Sequence, residues 1–416
     1  MAVCRYPDGS RWIQFSDGRG ASGTGSYQGG WLYAHLPLLL HPRPRAAAVI
    51  CFGTGNTLAA ASLHPLDRLD GIELSRQVVA AAPFFEATNH GVAKGGRARI
   101  VIEDGRNYLL ATRLTYDVIT EEPPLVHTAG VVNLYSRDFY ELAKRRLTDD
   151  GLVAVWLATW ELEPDEMRRL VRAFVDVFPY ASVWDCTHPY EWVLVGGKKP
   201  PRLDLDALTA RMAAPALARD LARIEPELGG IRAPADLLSL HLMDREAMVR
   251  FAGDAPPVTD DRSSVDFTSP RRARANFGLG EWVTGGLPAA SLGGQGLRSE
   301  LGLRDFDRAY AFRDPALPLV ASYGARDPRA FAAELRERTA RREAKAADLA
   351  IRAVRRHAAD LRTLGLSAES LAVVERALDM VPPGSRAPLD EMRAQLLRET
   401  GREAVTPPGT KGDERP

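Results

Sequence analysis

The spacing of apolar positions changes character near Ala46. Before that point it is short and irregular. Trp12–Phe15 predicts a brief strand, Ser16-Asp17-Gly18 a turn, and the Gly/Ser-rich stretch Gly20–Gly30 a loop. Beyond it, short apolar runs alternate with segments of helical period. Ala47–Phe52, Leu69–Leu74, Ala98–Glu103, Tyr116–Thr120 and Leu152–Leu157 predict strands. Asn56–His64, Ser75–Asn89, Arg106–Thr112, Leu134–Leu147 and Pro164–Val177 predict the helices that follow them. Such alternation predicts right-handed crossovers and a parallel sheet covered on both faces. Ala181–Asp185 and Glu191–Gly196 predict a terminal hairpin on that sheet. The expected class is α/β: a Rossmann-like sheet with a short N-terminal β element and a C-terminal helical appendage.

The same pattern divides the chain. Residues 1–45 form the β element and entry segment, 46–200 the Rossmann-like domain, and 201–270 a mostly helical extension. Residues 271–327 are irregular, with Gly and Pro and little periodicity. Residues 328–403 are helical, and 404–416 have the polar, Pro/Gly-containing composition of a disordered tail. Leu371, Val374, Leu378 and Val381 mark an amphipathic stripe, which Pro382-Pro383 stops. One helical hairpin of tetratricopeptide type would fit there. A single unit is not an array, so a simple helical appendage is the expectation.

Composition excludes several classes. The 416 residues carry 54 Lys+Arg against 54 Asp+Glu, so no net positive charge points to nucleic acid. No apolar run approaches the ~20 residues that cross a bilayer. The best candidate, Trp31–Leu40, is short and interrupted by His35 and Pro37. Cys4, Cys51 and Cys186 are too few and too scattered for a disulfide framework or a zinc cluster. They are expected as reduced thiols of a cytoplasmic protein. The eight histidines show no metal spacing, and no metal is expected.

The candidate chemistry sits where strands end. The first strand runs into Cys51-Phe52-Gly53-Thr54-Gly55-Asn56-Thr57, a glycine turn through which backbone can approach a ligand. Glu73 ends the second strand, near the ~20-residue offset at which an acid meets ribose hydroxyls. Asp104, followed by Gly105, comes after the third strand and suits an adenine amino group. Glu121 and Glu122 end the fourth, before Pro123-Pro124. Open α/β sheets bind ligands at these carboxyl ends. Each feature alone has a bland reading, as a turn, a helix cap or a solvated charge. In one register they indicate an adenosyl-containing ligand. A nicotinamide enzyme fits less well, because Asn56-Thr57-Leu58 lacks the third glycine.

These residues resemble a known family. Ser26-Tyr27-Gln28, Ala34-His35-Leu36-Pro37-Leu38, His41-Pro42 and Val49–Gly55 are similar to the entry region of the spermidine/spermine synthases, the polyamine aminopropyltransferases. Glu103–Leu109, Tyr116–Ile119 and Leu134–Tyr140 continue the resemblance. Thr259-Asp260-Asp261-Arg262 resembles a downstream segment of bacterial fused spermidine synthase-like proteins, in which this domain follows a membrane part. The resemblance implies a sheet of the S-adenosylmethionine-dependent methyltransferase type. It implies aminopropyl transfer from decarboxylated S-adenosylmethionine, a co-substrate rather than a permanent cofactor, to a diamine such as putrescine. By position Glu73 would hold ribose, Asp104 and Gly105 adenine, and Gly53, Thr54 and Gly55 the donor. Tyr27 and Gln28 would face the amine. The family's essential aspartate aligns best with Glu121, and a one-residue shift would make it Glu122. A small amine partner and a homodimer are the associations it allows.

Departures from the family pattern fall on the amine side. Thr54 stands where the glycine loop carries an aspartate, and Gly29 where a glutamate usually follows the tyrosine pair. The active-site loop reads Glu121-Glu122-Pro123-Pro124-Leu125 instead of an Asp-Ser-Ser-Asp-Pro type. The short β element fits relatives with an upstream membrane portion, or a missing start. Two alternatives therefore stand beside spermidine synthesis: an S-adenosylmethionine-dependent methyltransferase, and a catalytically degenerate nucleoside-binding domain.

Overall fold

The computed structural model describes residues 1–14, 20–126, 128–158, 162, 164–186, 191–263, 265, 327–363, 365–380 and 383–401. Two compact units emerge: residues 1–275 with 309–342, and residues 276–308 with 343–416. In the first unit, β1 (Ala2–Arg5), β2 (Arg11–Gln14) and β3 (Gly20–Gly23) form a small antiparallel sheet. The main sheet contains β4 (Ala46–Ile50), β5 (Arg68–Glu73), β6 (Arg99–Ile102), β7 (Tyr116–Glu121), β8 (Leu147–Ala158), β9 (Tyr180–Asp185), β10 (Glu191–Gly197) and β11 (His241–Asp244). Their order is β11-β9-β10-β8-β7-β4-β5-β6. From β6 to β8 all neighbours are parallel, while β10 runs antiparallel to β8 and β9. The chain moves outward from β4 to β6 and then returns to β7. The boundary between β4 and β7 is thus the topological switch point, where a crevice opens at the strand ends. This is the expected Rossmann-like, methyltransferase-type sheet.

Two apolar layers sandwich the sheet, as alternation along β7 illustrates. Val118 joins the core that includes α1 (Tyr27–Leu40) and α2 (Asn56–Ser62). Ile119 joins the opposite core. The short α3 (Arg76–Ala81) and α4 (Glu86–Asn89) follow β5, with a 3-10 turn at Ala82–Phe85 between them. Pro83 interrupts what the sequence suggests as one helix. The opposite face is covered by α5 (Gly105–Ala111), α6 (Arg137–Arg145) and α7 (Pro164–Val177). Then come α8 (Leu205–Met212), α9 (Pro215–Arg223), α10 (Pro234–Leu238) and α11 (Arg245–Ala252). The mostly helical extension also contributes β11 to the sheet edge, which its composition does not announce.

The expected loop Gly20–Gly30 is instead β3 and the first turn of α1. The reason is tertiary. Gly29 through Leu40 are all buried, so α1 is a core helix without an amphipathic period to read. Pro37 inside it cannot donate to the carbonyl of Tyr33. The Thr120 hydroxyl of β7 donates to that oxygen instead, at 2.9 Å. At the helix end, the Arg211 guanidinium of α8 donates to the carbonyls of Leu38, Leu39 and His41. These bonds satisfy groups that would otherwise be orphaned inside the core.

The remaining helices are α12 (Pro328–Thr363), α13 (Ser367–Met380) and α14 (Ala387–Glu399). Within the second unit, Val354, Ala358, Leu371, Val374, Leu378, Leu389 and Leu396 are buried, and Arg362 pairs with Glu399. Of the expected stripe, Val381 lies outside the described residues, as do the turn Ser16–Gly18, most of the 271–327 region and the tail 404–416. Among the described residues no helix is long and apolar enough to cross a membrane.

Candidate functional site

The β4–α2 turn is built by three left-handed residues: Cys51 (φ 68°), Gly53 (φ 54°) and Gly55 (φ 87°). Only glycine visits that region freely, which explains the Gly-x-Gly spacing. Cys51 is held there by its N–H, which donates to the Ile72 carbonyl at 3.0 Å. The turn is also pinned from outside. The buried Asn89 amide donates to the carbonyls of Thr54 and Ala82, at 2.8 and 2.9 Å. The Thr54 hydroxyl meets Ser22 of β3 at 3.2 Å. The small N-terminal sheet thus closes over the glycine turn.

Acids converge on this turn from neighbouring strands. Glu73 accepts from the N–H groups of Gly53 (3.3 Å) and Ser75 (2.9 Å). Burial raises its carboxyl above the ordinary range, and backbone donors work against that rise. Asp104 caps α5, accepting from Asn107 N–H at 2.9 Å. Gly105 is required by packing, since a Cβ there would lie 2.3 Å from Ile50 Cγ2. The Cys51 thiol reports the convergence. Burial pushes it well up, and the charges of Glu73, Glu121, Glu122 and Asp104 push it further. A thiol so placed stays protonated and is no nucleophile. The four predicted strand-tip acids therefore share one electrostatic neighbourhood.

The two adjacent glutamates face different surroundings. Glu121 is fully buried, and among the described residues neither carboxyl oxygen has a hydrogen-bond partner. It lies near Tyr135 and Tyr140, whose phenols its charge would push up, and burial raises its own carboxyl well above the usual range. Glu122 is only partly buried and accepts from the Thr57 hydroxyl of α2 at 2.9 Å. Burial, helped by the charge of Glu191, brings its carboxyl to about 7.

Near Glu122 stands a group that the sequence did not single out. The Tyr33 hydroxyl donates to Glu191 Oε2 at 2.5 Å, and Cys186 Sγ lies 3.7 Å from the same hydroxyl. Burial raises the Tyr33 phenol, and Cys186, Glu191 and Glu122 add to the rise. Glu191 opens β10, an otherwise apolar strand (Glu-Trp-Val-Leu-Val). An acid in that buried position was the available signal. Of the residues expected to face an amine, Gln28 approaches the Tyr27 hydroxyl at 3.4 Å. The Tyr27 ring packs edge-on against Trp31, and the Arg223 guanidinium lies 5.2 and 5.0 Å from the two ring centroids.

The downstream Thr259–Arg262 segment serves the frame. Asp260 accepts from Arg106 and from the Ser136 hydroxyl (2.7 Å), while its own N–H donates to Asp138. It ties the starts of α5 and α6 together.

The Spermine/spermidine synthase domain family matches residues 32–193. The polyamine aminopropyltransferase of Desulforudis audaxviator is 28% identical over 175 residues, covering 40% of this chain and 63% of that protein. The polyamine aminopropyltransferase of Moorella thermoacetica is 30% identical over 183 residues, covering 42% and 64%. The chain thus spans under two thirds of the length of these relatives. The spermidine synthase structure from Thermotoga maritima superposes with a TM-score of 0.41 at 20% identity, over 67% of this chain and 87% of that one. Residues 32–193 thus match the spermidine/spermine synthase domain, and this stretch is similar to polyamine aminopropyltransferases.

Proposed function

We propose that this protein is an aminopropyltransferase, moving the aminopropyl group of decarboxylated S-adenosylmethionine to a diamine such as putrescine. The observation that carries the reading is the position of Glu122. It is a carboxyl near 7, held by Thr57 across from the glycine turn and in the same neighbourhood as Glu73 and Asp104. A base with that pKa accepts a proton efficiently at neutral pH. Glu73 would take the ribose hydroxyls, and Asp104 the adenine amino group. The turn from Gly53 to Gly55 would carry the donor backbone contacts. Tyr27 and Gln28 would border the amine.

The steps balance simply. An alkylammonium gives one proton to Glu122 and becomes a free amine. Its nitrogen lone pair attacks the propyl carbon next to sulfur. The carbon–sulfur bond breaks, its electrons return to sulfur, and the neutral thioether methylthioadenosine leaves. The product nitrogen is a secondary ammonium. The sulfonium is already activated, so alignment of the two substrates is the main demand. In this reading the base is Glu122, and Glu121 lies behind the strand.

Thr54 favours a second reading. A hydroxyl in place of an acid suits an intact methionine carboxylate, and with it a methyltransferase. One experiment separates the two. The protein is incubated with decarboxylated or ordinary S-adenosylmethionine and a panel of diamines. Methylthioadenosine formed only with the decarboxylated donor and a diamine is the expected result. S-adenosylhomocysteine formed from the ordinary donor would replace the reading with methyl transfer. Absence of both products, with methylthioadenosine still bound, would leave a nucleoside-binding domain.

A further inference from the structure

The place beside Gly29 in α1 is filled by the Tyr33 hydroxyl, with the Glu191 carboxylate next to it. A Cβ at position 29 would lie 2.7 Å from the Tyr33 hydroxyl and 3.4 Å from Glu191 Oε2. The glutamate of β10 therefore delivers its carboxylate to the place where a side chain from α1 would project. Its approach is fixed by three features. The hydrogen bond from the Tyr33 phenol aims the carboxylate. The backbone of Tyr33 is in turn fixed by Thr120, which takes the carbonyl that Pro37 frees. Register sets Glu191 opposite Ala158 at the end of β8, next to β7, whose tip leads to Glu122.

We infer that Glu191 is a specificity-determining residue of the amine pocket, supplying from β10 the negative charge that Gly29 withholds from α1. The inference rests on the proposed amine site beside Glu122. Glu191 is 8% exposed, and among the described residues its Oε2 takes one donor, the Tyr33 phenol. A carboxylate held this way retains acceptor capacity for an ammonium donor. A buried cation needs such a partner to offset its lost hydration. Glu122 serves poorly as a permanent counter-ion, because the proposed reaction protonates it. Glu191 takes no part in the proposed proton transfer and so offers the ammonium a second carboxylate. The acid that the family pattern places on the helix is thus supplied in this chain by a strand distant in sequence.

The test is a calorimetric titration of putrescine into the full-length protein saturated with methylthioadenosine. The wild type, Glu191→Gln and Glu191→Asp are compared. Glu191→Gln keeps the shape and removes the charge. Its putrescine affinity is expected to fall about 10- to 100-fold, the scale of one charge-assisted hydrogen bond. Methylthioadenosine affinity should stay within about twofold in both variants, which also certifies their folding. Glu191→Asp, with its charge kept, should recover part of the loss. Wild-type putrescine affinity in Glu191→Gln, or no putrescine binding by the wild type, overturns the inference. Should Glu191→Gln fail to fold, Glu191→Asp is read alone: its carboxylate is drawn back by one methylene, so a putrescine affinity equal to that of the wild type would also overturn it. Failure of the catalytic reading looks different: putrescine binds and depends on Glu191, yet no methylthioadenosine forms from the decarboxylated donor.

Discussion

On the β4, β5 and β6 side of the sheet edge, acids answer to backbone. Glu73 accepts from Gly53 and Ser75 N–H, and Asp104 from Asn107 N–H. On the β7 and β10 side, acids answer to side chains. Glu122 takes the Thr57 hydroxyl, Glu191 takes the Tyr33 phenol, and Glu121 takes none among the described residues. The first kind of bond joins residues 2 to 20 positions apart and uses backbone N–H groups that almost any residue supplies. The second kind joins residues 65 to 158 positions apart. Its acids can be exchanged between elements, as the Gly29 and Glu191 pair illustrates. In the proposed reading, that difference in support separates the acids assigned to the nucleoside from those assigned to the amine.

The sharpest way to break this division is Glu122→Gln. A lost general base costs about 10²- to 10⁴-fold in turnover, while methylthioadenosine binding should hardly change. The pH profile gives a second handle. The carboxylate is the active form, so kcat/KM should rise with pH through about 7 and be lost as pH falls below it. That limb should vanish in the variant. A Glu122→Gln enzyme with an intact acid limb would remove Glu122 from the reaction.

The next largest effect belongs to the other side. Glu73→Gln should weaken methylthioadenosine binding about 10- to 100-fold, since a charged acceptor becomes a neutral one. The effect on putrescine affinity should be small. Calorimetry on both ligands checks it, and equal losses of the two would erase the distinction between the halves. Gly105→Ala probes the frame beneath them. Its methyl group would press on Ile50, and overpacking of this kind costs about 1–3 kcal/mol. Thermal unfolding should show a Tm several degrees lower. An unchanged Tm would mean that the glycine is there for the ligand rather than for β4.

The positions proposed for the nucleoside could be placed at strand ends from the sequence because their signals are local. Gly53 and Gly55 sit where φ is positive, and Glu73 and Asp104 end apolar runs that read as strands. The α/β class followed from period alone. The surroundings of the proposed amine site were not legible for three physical reasons. The helix α1 is buried on every side, so no stripe distinguishes it from a loop rich in glycine at its start. The partner of Gly29 lies 162 residues away, on a strand whose first residue breaks an apolar run. And two consecutive glutamates differ only in which side of the sheet they face, which depends on where the pleat of β7 ends. One residue of register decides between a carboxyl among Tyr135 and Tyr140 and one beside Thr57.

That last ambiguity gives the smallest and most discriminating test. Glu121→Gln should leave turnover within about threefold of wild type, because the side chain is buried away from Thr57. Its effect should appear in stability. Burial raises the native Glu121 carboxyl well above its ordinary 4.5. Between those values the native state keeps a proton that the unfolded chain releases, so stability falls as pH rises. The contribution is whole below about 4.5 and is lost as pH climbs toward the native value. Glutamine does not titrate, so the variant should gain on the wild type as pH increases, and the difference in Tm should widen between pH 5 and pH 8. Thermal unfolding at several pH values measures the slope directly. A flat difference would mean that Glu121 is charged in the folded protein. A collapse of turnover in Glu121→Gln, with Glu122→Gln silent, would exchange the two glutamates and move the base to the other face of the sheet.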